Sequence, residues 1–155
     1  MDEGKYETQL GFIHLKVRDL DRALAFYSGV LGWQVVERMD EGYAALTADG
    51  GPPAIVLQSV GPAAPQPSCR HTGLYHVAFL VPDRAALAAV YRQLTAAGVA
   101  VAPVDHCISW TLYCTDPDGN GLAFYWDTRA TPGGALLWRG RNRPLPSCSI
   151  VAAGA

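Results

Sequence analysis

Residues 12–33 read FIHLKVRDLDRALAFYSGVLGW, and residues 74–99 read LYHVAFLVPDRAALAAVYRQLTAAGV. The two stretches are variants of one pattern, and their likeness decides the fold. Each opens with an apolar strand and reaches Val-x-Asp, at Val17–Asp19 and Val81–Asp83. Each then enters an amphipathic helix with an aromatic at its middle and closes on a glycine. Leu20, Leu24, Tyr27 and Leu31 recur at helical spacing, as do Leu87, Val90, Tyr91 and Leu94. Asp21 and Asp83 are the expected N-caps, and Gly32 and Gly98 the expected C-terminal stops.

Working outward, three short strand-like runs follow each helix. They are Gln34–Arg38, Tyr43–Thr47 and Ala54–Val60, then Val99–Val101, Ser109–Cys114 and Leu122–Trp126. Gly50-Gly51-Pro52-Pro53 and Asp116-Pro117-Asp118-Gly119-Asn120-Gly121 supply the turns before the last strands. The expected class is α+β: two βαβββ modules forming a curved mixed sheet around a shared pocket. Module one covers 10–60, a Pro-rich linker 61–70, module two 72–127 and a tail 128–155, all in a single domain. The tail's Leu136, Leu137 and Trp138 are placed to cover a sheet edge or a partner, and the final VAAGA is expected to fray.

Composition bounds the function. The chain has 155 residues, half of them apolar, with a formal net charge of -2. That balance offers no field to attract nucleic acid or an anionic membrane. No apolar run approaches the ~20 residues of a membrane span. The four cysteines form no C-x-x-C pair, so reduced thiols in a cytoplasmic protein are expected. No nucleophile elbow, phosphate loop or dinucleotide fingerprint is present.

The two strand–helix openings, with DHCISWTLYCTDPDGNGLAFYWD at 105–127, resemble the vicinal oxygen chelate superfamily over roughly residues 10–127. That group includes glyoxalase I, extradiol dioxygenases, fosfomycin-modifying enzymes and bleomycin-sequestering proteins. The likeness is greatest to a paired module of the catechol 2,3-dioxygenase-like branch. The resemblance implies a metal held by one histidine from each first strand and a glutamate from the last. It also implies a small-molecule ligand and a homodimer.

The positions that match those ligands are altered. His76 stands in register, but Phe12 occupies the first-strand position, with His14 one pleat away on the same face. Ala123 occupies the glutamate position. Any surviving site would use His14, His76 and Gln58 with iron, manganese, nickel or zinc, but the expectation is no cofactor. Trp110 follows Ser109 where relatives often carry an acid.

His14 and His76 are therefore the candidate acid–base residues, expected to share one cavity with extra space at Ala123. Phe12, Lys16, Gln58, His106, Trp110, Ala123 and Tyr125 are the candidate ligand contacts, with Trp110, Tyr125 and Phe12 forming an aromatic slot if all face inward. Three functions follow. One is metal-independent isomerisation or cyclisation of an aromatic or polyketide-like metabolite. Another is sequestration of a drug or metabolite. The last is metal-dependent ring cleavage or a glyoxalase-like lyase reaction.

Overall fold

The structure is a computed structural model and describes residues 8–152. The first half folds as β1 (Ile13–Val17), α1 (Leu20–Leu24), β2 (Gln34–Met39), β3 (Tyr43–Thr47) and β4 (Ile55–Ser59). A π-helical segment, Ala25–Val30, prolongs α1. The second half repeats the order as β5 (Val77–Leu80), α2 (Arg84–Ala96), β6 (Ala102–Asp105), β7 (Ser109–Thr115) and β8 (Gly121–Asp127). The tail adds β9 (Arg143–Pro144) and α3 (Ser147–Val151). Val151 thus ends a helix, and residues 153–155 lie outside the described residues. No helix among the described residues is long and apolar enough to cross a membrane.

The strands form two mixed sheets, in the orders β1-β4-β3-β2 and β5-β8-β7-β6-β9. Each first strand runs parallel to its last strand, and the remaining neighbours are antiparallel. The halves keep separate ladders rather than sharing one. The tail covers a sheet edge through β9, which pairs with β6, and not through Leu136–Trp138, which stay exposed.

Local chemistry fixes these elements. Asp19, not Asp21, caps α1: its carboxylate accepts the Arg22 amide at 2.9 Å, while Asp21 sits inside the first turn. Asp83 caps α2 by accepting the Ala86 amide at 2.8 Å. Gly32 and Gly98 both take φ +74, the left-handed conformation that ends a helix cheaply only at glycine. Val99–Val101, expected as a strand, lies outside the strands, and β6 begins at Ala102.

Leu15, Val17, Phe26, Tyr27, Leu46, Ile55 and Leu57 from the first half join Leu87, Leu94, Leu112, Leu122 and Phe124 in one core. The Asp116–Gly121 turn carries the polar contacts between halves. Asp116 is 3% exposed and accepts from Tyr27 Oη at 3.0 Å. Asp118 accepts the Arg18 amide at 3.1 Å and pairs with the Arg22 guanidinium. Asn120 donates to the Lys16 carbonyl at 3.3 Å.

Gly121 is required by close approach. A Cβ there would lie 2.2 Å from the Tyr75 carbonyl oxygen and 3.2 Å from the His76 Cβ. Gly121→Ala should therefore push β8 away from the chain entering β5. The expected cost is about 1–3 kcal/mol, read in a thermal melt as a fall of roughly 2–12 °C. An unchanged melt would contradict the contact.

Candidate functional site

Alternation along the strands gives each sheet one face on the core and one away from it. On β1, Leu15 and Val17 are buried, whereas His14 and Lys16 are exposed; Phe12, just before the strand, shares their side and is 56% exposed. Lys16 lies opposite Gln58, which lies opposite Tyr43. His14 meets Tyr43 edge-on, with ring centroids 5.9 Å apart. Phe12, His14, Lys16 and Gln58 thus occupy one face of the first sheet, as their spacing implies.

A cavity of about 600 Å³ lies elsewhere, where the segment between the halves crosses the start of β5. Its walls include Leu15, Pro67, His71, Tyr75, His76 and Tyr113. His76 lines it and His14 does not, so the two histidines do not share this cavity. The 61–70 segment, expected as a plain linker, contributes Pro67, Ser68 and Cys69 to the wall. This volume lies within the ~300–1,000 Å³ typical of small-molecule sites.

Tyr113 was not singled out in the sequence, yet it organises the polar side of the cavity. Its hydroxyl is 2.8 Å from His106 Nε2, and His106 Nδ1 is 2.6 Å from Asn142 Oδ1. Trp138 Nε1 donates to the same Asn142 oxygen at 3.2 Å. An indole nitrogen can only donate, which identifies the Asn142 atom as the amide oxygen. In its neutral form His106 then carries its proton on Nδ1 and accepts at Nε2, so Tyr113 is the donor to it. The chain runs from Tyr113 through His106 to Asn142, and two of its supports, Asn142 and Trp138, come from the tail.

His76 lies beside Tyr113, ring centroids 5.3 Å apart, and its buried Nδ1 has no hydrogen-bond partner. Burial, with a smaller contribution from Tyr75, pushes the Tyr113 hydroxyl above its usual pKa. It therefore stays protonated at neutral pH.

Three expected ligand contacts have other surroundings. Ala123 lies opposite Tyr113 and Ala78 but is 1% exposed, so the missing glutamate leaves no open space. Tyr125 shares that face one pleat further on, opposite Thr111 and Leu80, and does not line the cavity. Trp110 faces the helix side, where it meets Trp126 at 90° and the Arg84 guanidinium lies 4.9 Å over its ring. The aromatic slot of Phe12, Trp110 and Tyr125 does not form, because Trp110 is on the opposite face of β7 from Thr111 and Tyr113.

An orphaned imidazole nitrogen on His76 is what a metal ligand would leave exposed to a metal. The remaining positions do not fit a two-histidine, one-carboxylate centre. Phe12 and Ala123 have no donor atoms, and among the described residues no three His, Cys, Asp or Glu side chains converge on one point.

Thiol chemistry divides by burial. Cys69 and Cys148 are exposed, whereas Cys107 and Cys114 are buried. Burial, reinforced by the Asp116 carboxylate, pushes the Cys114 thiol up to about 11. Alkylation of the native protein near pH 8 should label Cys69 and Cys148, with Cys107 and Cys114 reacting only after unfolding. Mass spectrometry of tryptic peptides reads the outcome, and native labelling of Cys114 would refute it.

Comparison with known proteins follows this geometry. Residues 9–124 match the family model described as the Glyoxalase/Bleomycin resistance protein/Dioxygenase superfamily. The chain is 41% identical over 121 residues to a catechol-2,3-dioxygenase of Bacillus subtilis, covering 78% of this chain and 42% of that protein. It is 32% identical over 126 residues to biphenyl-2,3-diol 1,2-dioxygenase 3 of Rhodococcus globerulus, covering 80% of this chain and 66% of that one. This chain thus spans less than two thirds of either relative. A glyoxylase/bleomycin resistance protein/dioxygenase domain from Frankia sp. EAN1pec superposes with a TM-score of 0.69 at 26% identity, over 78% of this chain and 98% of that one. With the family model running from before β1 into β8, and the altered metal positions inside it, the chain belongs to the glyoxalase/bleomycin resistance protein/dioxygenase superfamily.

Proposed function

We propose that this chain is a metal-independent acid–base enzyme that isomerises or cyclises a small phenolic or enolisable aromatic compound. The observation that carries the reading is the directed Tyr113–His106–Asn142 chain on a cavity of about 600 Å³. A substrate proton moves to Tyr113 Oη as the tyrosine proton moves to His106 Nε2. The imidazolium is held by the Asn142 oxygen. Reversal of both transfers returns a proton to another substrate atom, so the product is an isomer and no oxidant is consumed. Tyr75, His76 and Leu15 provide a mainly apolar and aromatic wall for the ring. In this reading His106 takes the base role expected of His14 or His76, and His76 is a ligand contact.

Ring cleavage is the competing reading, favoured by the 41% identity to the Bacillus subtilis protein. Its cost is the loss of donors at Phe12 and Ala123. One experiment separates the two. The protein is incubated with a panel of catechols and enolisable aromatic ketones, with and without added Fe(II), while oxygen uptake and product mass are followed. Product of unchanged mass without oxygen uptake supports proton transfer. A mass gain of one O2 with oxygen consumption supports ring cleavage and overturns the proposal. Ligands recovered unaltered after saturable binding establish sequestration instead.

A further inference from the structure

A second cavity lies apart from the first, and no residue lines both. Tyr113 and Thr111 face one side of β7, whereas Trp110 and Leu112 face the other. On that other side, α2, the end of β8 and the tail enclose a space of about 320 Å³. We propose that it is a second ligand site, for a small planar monocarboxylate of the benzoate class.

Charge is the first argument. Arg84 and Arg143 both line the space, and Asp105 is its only acidic wall residue. One Asp105 oxygen already accepts the Cys107 amide, at 2.7 Å. Among the described residues neither arginine forms an ion pair with a carboxylate. Arg84 gives one Nη2 bond to the Ser149 carbonyl, while its buried Nε has no acceptor at all. A partly buried cation without a counter-ion is costly, and a carboxylate entering beside it offsets that cost. A carboxylate spanning Arg84 and Arg143 receives charge-assisted hydrogen bonds from both.

Shape is the second argument. Trp110 and Trp126 meet at 90° with centroids 5.6 Å apart, forming an aromatic corner. With the Arg84 guanidinium over the Trp110 ring, a flat ring packs into the remaining angle of the corner with its carboxylate toward Arg84. The volume is at the small end of ligand cavities, suited to one ring and unsuited to a nucleotide or dinucleotide.

Part of the wall lies outside the family match. Thr128, Thr131, Gly134 and Arg143 lie beyond residue 124, where the family match ends. A Cβ at Gly134 would stand 1.8 Å from the Thr128 carbonyl oxygen, so the turn that closes the space is built on close backbone approach.

The four tryptophans, Trp33, Trp110, Trp126 and Trp138, provide a readout that locates the ligand. Trp138 adjoins His106 and reports on the Tyr113 side. Benzoate titrated into 15N-labelled full-length protein should shift the indole N–H signals of Trp110 and Trp126 along a saturable curve. Trp33 and Trp138 should stay still. Benzamide, which has the same shape without the charge, should bind at least roughly tenfold more weakly. Arg84→Met should remove binding, with circular dichroism confirming its fold. Arg143→Gln should weaken binding roughly tenfold, and because Arg143 is exposed this variant decides the matter if Arg84→Met fails to fold. Linear shifts without saturation, equal binding of benzamide, full-strength binding by Arg143→Gln, or shifts confined to Trp138 each overturn the proposal.

Discussion

Asp116→Ala is expected to lower the unfolding free energy by about 3–5 kcal/mol, a drop of roughly 6–20 °C in Tm. Asp116 is buried and accepts four hydrogen bonds: Tyr27 Oη at 3.0 Å, the Asp118 and Asn120 amides at 2.9 Å each, and Asn120 Nδ2 at 2.8 Å. Truncation leaves Tyr27 Oη and the Asp118 and Asn120 amides without a partner and leaves Asn120 Nδ2 only its longer bond to the Lys16 carbonyl. Tyr27, 0% exposed, cannot turn to water and cannot ionise instead, because burial, the largest cause, still pushes its hydroxyl far above its usual pKa once the carboxylate is gone. Asp116→Asn keeps one acceptor oxygen and should cost less than the alanine change. Tyr27→Phe removes one donor together with its need for a partner and should cost about 1–2 kcal/mol. Denaturant melts of the three variants check the ranking. An alanine variant as stable as the parent would remove the turn from the centre of the fold's energetics.

The second large effect concerns turnover. Tyr113→Phe should reduce the proposed proton transfer by about 10²–10³-fold while lowering stability by no more than about 1 kcal/mol. Of Tyr113, His106 and Asn142, Tyr113 is the residue that lines the cavity. His106 is then left 2.8 Å behind a position that no longer carries a proton. Asn142→Leu should act more mildly and through His106, by releasing the tautomer that the amide oxygen selects. It should shift the acidic limb of the pH–rate profile, which a loss of packing alone would not do. Steady-state rates across pH for both variants are the measurement. A Tyr113→Phe enzyme with parental turnover would end the proton-relay mechanism.

Much of this was readable in the chain, and the failures have physical causes. The repeat gave both helices, both C-terminal glycines and the common face of Phe12, His14 and Lys16, because those depend on local spacing. The cap at α1 was misplaced by two residues because Asp19 and Asp21 have the same chemistry, and only backbone angles separate them. Trp110 could have been oriented. Counting back from the tight turn pairs Thr115 with Gly121, hence Tyr113 with Ala123 and Trp110 with Trp126. That count also points to Tyr113 as the residue across from the missing glutamate. The His106–Asn142 contact joins residues 36 apart through a tail without periodicity, and no local pattern encodes it. Likewise, the burial of Ala123 depends on which side chains close over it, a tertiary property.

The turn at Asp116–Asn120 has an unequal counterpart in the first half. There Asp49 binds only its own neighbours, Thr47 Oγ1 at 3.0 Å and the Gly51 amide at 3.0 Å. Asp116 and Asp118 instead satisfy Tyr27, Arg18 and Arg22 across the repeat. A duplicated unit has thus become a pair with a donor and a dependant. A first copy cut away at the linker would leave the Tyr27 hydroxyl, the Arg18 amide and the Arg22 guanidinium without these acceptors, so the two copies depend on each other unequally.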